Sequence, residues 1–236
     1  MEGDPVGRML ALHERYPERY PVLLDSSAVG MPLGRFTLLL AAPEGRLLLD
    51  RDRRLQGEGE GDRFCDRLDA WWRRERSVAP PAPWPFAGGW FLYLGYELAS
   101  EVEPSLRLPP SPLPVVALAW RMRAAVVHDH ESGESVVLAE PAAASIADQL
   151  RSDLQDIGRG PSPALVGPVT AVSEDDPERY LEACRAALAH IAAGDVYQAN
   201  LARTWRAPVP GGMTTAKLYA RLRAANPGAF SGIGGW

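Results

Sequence analysis

The sequence predicts an α+β protein organised around antiparallel strands. Two long apolar stretches each carry a turn signal near the middle, so each reads as a hairpin: RFTLLLAAPEGRLLLD (35–50) and VVALAWRMRAAVVHDHESGESVVLAE (115–140). Other stretches repeat apolar residues at helical spacing, notably 62–76 and 176–193. The chain has 236 residues, 46% of them hydrophobic, which is enough for a sizeable core.

Taken in order, residues 6–16 suit a short helix before Pro17, and VLLDSSA (22–28) a strand running into a polar turn. The first hairpin turns at Pro43, Glu44 and Gly45, and the glycine-rich stretch 56–62 reads as a loop. Phe64, Cys65, Leu68, Trp71 and Trp72 then share a helical face, with the tryptophan pair assigned to the core. Residues 77–85 hold four prolines and form an irregular connection before the apolar strand 88–98. The second hairpin turns at 129–134, with His128 and His130 as exposed turn residues. A helix over 142–156 follows.

Domain 1–157 is expected to end at a Pro/Gly-rich linker, 158–175, and a second domain to occupy 176–236. There Asp176 caps a helix, Pro177 takes its first position and Gly194 stops it. Tyr180, Leu181, Cys184, Leu188 and Ile191 form its apolar stripe. VYQANLARTW (196–205) is expected to enter a sheet. A helix capped by Thr214 or Thr215 turns Leu218, Tyr219 and Leu222 inward and ends at Asn226-Pro227, before a strand over 229–236.

A net charge of −5 gives no reason to expect nucleic acid or an anionic membrane as partner. Cys65 and Cys184 match neither a disulfide framework nor a metal-ligand spacing, and read as buried free thiols. The acidic start MEGDPVGRML has no signal-peptide pattern, and no apolar run is long enough to span a membrane, so the expected location is the cytoplasm. No nucleophilic triad or phosphate-cradling loop stands out, and GEGEGD (57–62) lacks the Lys-Ser/Thr of a P-loop. Glu97, Glu101 and Glu103 are read as solvated carboxylates, and Lys217 as an exposed helix lysine.

Four segments, in order, resemble one family. VLLDSSAVGMPLGRF (22–36) resembles a Leu-Leu-acid/His-Ser element, and FAGGWFLYLGYEL (86–98) a Gly-Gly-rich element, of enzymes that aminate chorismate. DPERYLEACRAALAHIAAGDVYQANLARTW (176–205) resembles the opening of their chorismate-binding domain, and LYARLRAANPGAFSG (218–232) the next helix and its Asn-Pro turn. The family includes anthranilate synthase component I and aminodeoxychorismate synthase component I. Asn200 in GDVYQANL points to the aminodeoxychorismate branch.

The resemblance implies a large antiparallel β-sandwich flanked by helices. It implies conversion of chorismate and ammonia to 4-amino-4-deoxychorismate, with a glutamine amidotransferase subunit as ammonia source and Mg²⁺ on the chorismate carboxylate. It places the general acid, the catalytic lysine and the metal-binding glutamates beyond Trp236, so the chain reads as an inactive N-terminal part with no catalytic or metal residue of its own. Relatives hold tryptophan between the first and last of the four elements. The matching positions are Ser26, Leu33, Gly34, Arg35, Phe36, Ala229, Phe230 and Ser231. Ser26 is expected to hydrogen-bond the ligand and Phe230 to supply an apolar wall. The alternative that these residues only pack stands beside it, as do two other readings: a piece of anthranilate synthase component I, or a non-catalytic tryptophan-binding module.

Overall fold

The computed structural model describes residues 4–28, 34–76, 83–158 and 171–235. The chain forms two compact units, one from Met1–Pro163 with Thr215–Trp236 and one from Ala164–Thr214. The expected block 176–236 is therefore divided between them.

The first unit opens with α1 (Pro5–Arg15). Asp4 caps it, accepting from the Gly7 amide at 2.9 Å, and Pro5 occupies the first turn, where no amide partner is lost. Strands β1 (Val22–Asp25), β2 (Phe36–Asp50) and β3 (Leu55–Gly57) precede α2 (Phe64–Glu75). Then come β4 (Gly89–Leu94), a 3₁₀ turn (Tyr96–Leu98), α3 (Ala99–Val102), β5 (Val115–Asp129), β6 (Ser135–Ala139) and α4 (Ala144–Asp156). After the second unit the chain returns with α6 (Thr215–Ala225) and β9 (Ser231–Gly234). The seven strands make one antiparallel sheet in the order β4-β5-β2-β1-β9, with β3 beside β2 and β6 beside β5.

This corrects two expectations. The fold mixes helices and strands, but the sheet is one curled layer, not a sandwich. Helices cover it: α1, α4 and α6 pack on Leu23, Leu39, Ala41, Ala124 and Val126, and α2 on Leu47, Leu49, Ala117 and Ala119. The stretch 35–50 is also one strand, not a hairpin. Its pairing with β5 runs from Pro43↔Met122 directly to Arg46↔Trp120, so one extra residue bulges from β2. Ala42 (φ 56°) and Gly45 (φ 70°) absorb the bend in left-handed backbone. The turn signal at 43–45 thus bends a strand that has an unbroken partner along its length. The 115–140 hairpin forms as expected.

Three smaller readings change. Trp71 is buried, with its indole N–H donating to Glu75 at 2.7 Å, while Trp72 lies 44% exposed. Glu101 is buried and its carboxylate accepts from the amides of Phe64 and Cys65 at 3.3 and 3.1 Å. It caps α2 from a distant helix because Arg63, at the cap position, supplies no side-chain acceptor. Cys65 and Cys184 are half-buried, and burial raises the Cys65 thiol above its usual range. Among the described residues no helix is long and apolar enough to cross a membrane.

The second unit contains β7 (Ser173–Glu174), α5 (Pro177–Ala193) and β8 (Trp205–Arg206). Asp176 accepts from the Glu178 amide at 3.0 Å, and Gly194 closes α5 in left-handed backbone (φ 80°), as expected. No α5 residue is buried, and Leu181, Leu188 and Ile191 face solvent. Of VYQANLARTW only Trp205 is in a strand, because within this unit β8 finds just the two residues of β7 as partner.

Candidate effector site at the β1–β9 edge

Three of the expected ligand-binding positions, Ser26, Ala229 and Ser231, meet where β1 ends. Antiparallel pairing of β1 with β9 sets Asp25 opposite Ser231 and Leu24 opposite Gly232. The Ser26 hydroxyl donates to the Ala229 carbonyl at 2.9 Å. Ser27 and Gly228 hold each other: the Gly228 amide donates to the Ser27 hydroxyl at 3.0 Å, and that hydroxyl donates to the Gly228 carbonyl at 3.3 Å, which also accepts from the Ala28 amide at 3.1 Å. The polar turn after β1 and the turn after Pro227 are thereby joined across 200 residues of chain. Ser26 is buried; Ala229 and Ser231 are half-buried.

Beneath this face lies a buried polar network anchored on Asp25, whose side chain is fully shielded from solvent. It accepts from Arg223 Nε at 2.6 Å, from the Tyr219 hydroxyl at 3.0 Å and from the Thr37 hydroxyl at 2.8 Å. Burial, then the Asp25 charge, pushes the Tyr219 phenol well above its ordinary range. Tyr219 and Arg223 share one face of α6 because they are four residues apart. Their neighbours Ala216 and Ala220 are small and buried, so the helix packs closely there, while Leu218 and Leu222 point outward, contrary to expectation. The helix docks by its polar reach to Asp25 rather than by a leucine stripe.

Thr37 is the hub. Its one proton goes to Asp25, so it must accept from its other two partners, the Ser26 amide at 3.3 Å and His130 Nε2 at 2.8 Å. His130 Nε2 therefore carries a hydrogen. The two histidines are not exposed turn residues: His128 is 7% exposed, His130 half-buried, and their rings meet edge to face at 4.8 Å.

Arg35 clamps Asp129 through Nε and Nη2, at 2.8 Å for the shortest contact, and lies 4.7 Å over the Phe36 ring. That clamp holds the Asp129 carboxyl far below its usual range. Phe36 meets Trp84 edge-on at 6.4 Å. Gly34 is buried; Leu33 lies outside the described residues.

These positions limit what the site can do. Ser26 uses its proton on Ala229, so toward a ligand it can accept, as from an ammonium group. Arg35 is already neutralised by Asp129. Phe230 is 80% exposed and supplies no wall in this arrangement. Sequence reasoning missed Asp25, Thr37, Asp129, Tyr219 and Arg223. The available signals were an acid inside the apolar run VLLD and the four-residue spacing of Tyr219 and Arg223. Among the described residues no three His, Cys, Asp or Glu gather to hold a metal ion.

The model of the chorismate binding enzyme family matches residues 31–233. The chain belongs to that family. Anthranilate synthase component 1 of Cereibacter sphaeroides is 29% identical over 96% of this chain and 50% of its own length. The protein of the same name from Streptomyces coelicolor is 33% identical over 66% of this chain and 34% of its own. Aminodeoxychorismate synthase of Streptomyces griseus is 26% identical over 90% of this chain and 32% of its own. The chain thus spans half or less of the length of these curated relatives. The crystal structure of anthranilate synthase component I from Streptococcus pneumoniae has a similar fold, with a TM-score of 0.61 at 21% identity, covering 84% of this chain and 47% of that one.

Proposed function

We propose that this chain is the N-terminal part of a chorismate-aminating synthase of the aminodeoxychorismate type. Family membership over residues 31–233 carries the reading, since it makes chorismate the expected substrate. The reaction exchanges the ring hydroxyl of chorismate for ammonia and releases water, giving 4-amino-4-deoxychorismate for p-aminobenzoate and folate synthesis. It needs a general acid for the leaving hydroxyl and a divalent cation for the substrate carboxylates. In this proposal those groups, with Mg²⁺ and a lysine, belong to residues that follow 236, and a glutamine amidotransferase supplies ammonia. The face around Ser26 and Ala229 is the effector side, with tryptophan as candidate ligand, and 176–236 opens the chorismate-binding domain.

Asn200 supports the aminodeoxychorismate branch. The names of two relatives favour anthranilate synthesis as the second reading. The test supplies the complete gene product with chorismate, Mg²⁺ and ammonium and resolves products by liquid chromatography. 4-Amino-4-deoxychorismate is expected. Anthranilate would establish the second reading, and no amination would remove both.

A further inference from the structure

We infer that His128 and His130 form a proton-operated clasp that holds the 215–235 segment on the sheet, closed when both rings are neutral and released when the pair takes up protons. This goes beyond the proposed reaction and does not depend on it. The geometry carries it. His130 Nε2–H reaches the Thr37 hydroxyl, which donates to Asp25, and Asp25 is the acceptor on which Tyr219 and Arg223 of α6 close. A single relay thus links a ring at the end of β5 to the helix that precedes β9. Since Nε2 of His130 holds its hydrogen toward Thr37, an added proton must go to Nδ1 and leaves that bond in place; release is driven by the charge set on a buried ring beside a second histidine and Arg223, not by loss of the Thr37 bond. His128 directs its own Nδ1 to the Ser135 hydroxyl at 2.8 Å. With rings 4.8 Å apart and nearly perpendicular, a positive charge on one ring opposes a charge on the other.

The charges around the pair do not offset this. Asp25 on β1 and Asp129 on β5 favour a cation, but each already pairs with an arginine, Arg223 of α6 and Arg35 beside β2. Glu131 on the hairpin turn also faces Arg35, and Glu134 contributes only its backbone to His128. Burial is the largest influence on both rings and lowers both below an ordinary histidine; His130 lowers His128 further, and Arg223 opposes Asp25 at His130. Because the folded rings titrate below the unfolded ones, the unfolded chain binds protons first as pH falls. The clasp is whole above about pH 6.5 and is lost as pH drops through the lower folded values.

Hydrogen exchange followed by mass spectrometry at about pH 7 and pH 5, corrected for intrinsic rates, tests this. Exchange in 215–235 is expected to rise about tenfold for each pH unit by which the pair titrates below its open form, while β5 residues 117–127 stay protected. His130→Gln keeps a donor for Thr37 without titrating and is expected to flatten the response. His128→Gln serves as a second, independent variant. Equal protection of 215–235 at both pH values, loss of protection spread equally over β5, or an unchanged pH response in both variants would overturn the clasp.

Discussion

Replacing Asp25 by Asn tests whether the buried network holds the candidate site together. The carboxylate is fully shielded and takes three donors, from Thr37, Tyr219 and Arg223. Asparagine keeps the shape but offers one acceptor oxygen and one donor nitrogen. If the oxygen faces Arg223 and Tyr219, the nitrogen faces Thr37, whose lone pairs already serve Ser26 and His130, and the Thr37 proton loses its acceptor. The charge of Arg223 also goes unmatched. Removing one partner of a buried ion pair costs about 3–5 kcal/mol. The Arg223 side chain retains 28% exposure and can partly resolvate, so the low end, about 3 kcal/mol, applies. For a protein of this size that lowers Tm by about 6–12 °C. Thermal unfolding followed by circular dichroism reads it, with Arg73→Ala as control. Arg73 makes an exposed pair with Asp69 at 3.0 Å, so its loss should cost about 0.3–0.5 kcal/mol. Equal Tm changes for the two variants would refute the reasoning.

Three further outcomes are expected. Tryptophan raises Tm, by about 2.7 kcal/mol of added stability at a hundredfold excess over Kd, and Ser26→Ala trims that gain by about 1 kcal/mol; a flat titration leaves only the packing role. Gly57→Ala destabilises by about 2 kcal/mol or more in urea unfolding. The reason is that Gly57 has φ 101° and an added Cβ would lie 1.8 Å from the Arg46 carbonyl oxygen; an unchanged midpoint refutes the assigned backbone. Residues 1–236 alone, given chorismate, Mg²⁺ and ammonia, form no product above a protein-free blank; measurable turnover would place catalytic groups within this chain.

Local signals were legible wherever they settle a structure by themselves. Asp176, Pro177 and Gly194 mark both ends of α5, and the 129–134 turn closes the β5–β6 hairpin. What stayed hidden depends on distant partners. Pro43-Glu44-Gly45 reads as a reversal until β5 is known to run alongside, when the same residues become a bulge. Glu101 looks solvated until the uncapped start of α2 is brought to it. At the candidate site, Ser26 and Ala229 were named through family likeness, and the structure sets them in hydrogen-bond contact. Asp25 and Arg223 were missed because neither has meaning until the two are 2.6 Å apart.

The central claim is that two segments about 200 residues apart, the end of β1 and the α6–β9 segment, make one face. Amide exchange measured residue by residue at neutral pH tests it most directly. Protected amides at 23–25 and 231–233, as firm as those of β2, together with fast exchange at 197–204, are the expected result. Fast exchange throughout 215–235 would contradict it, because β9 would not be paired to β1 and the candidate site would not exist in solution.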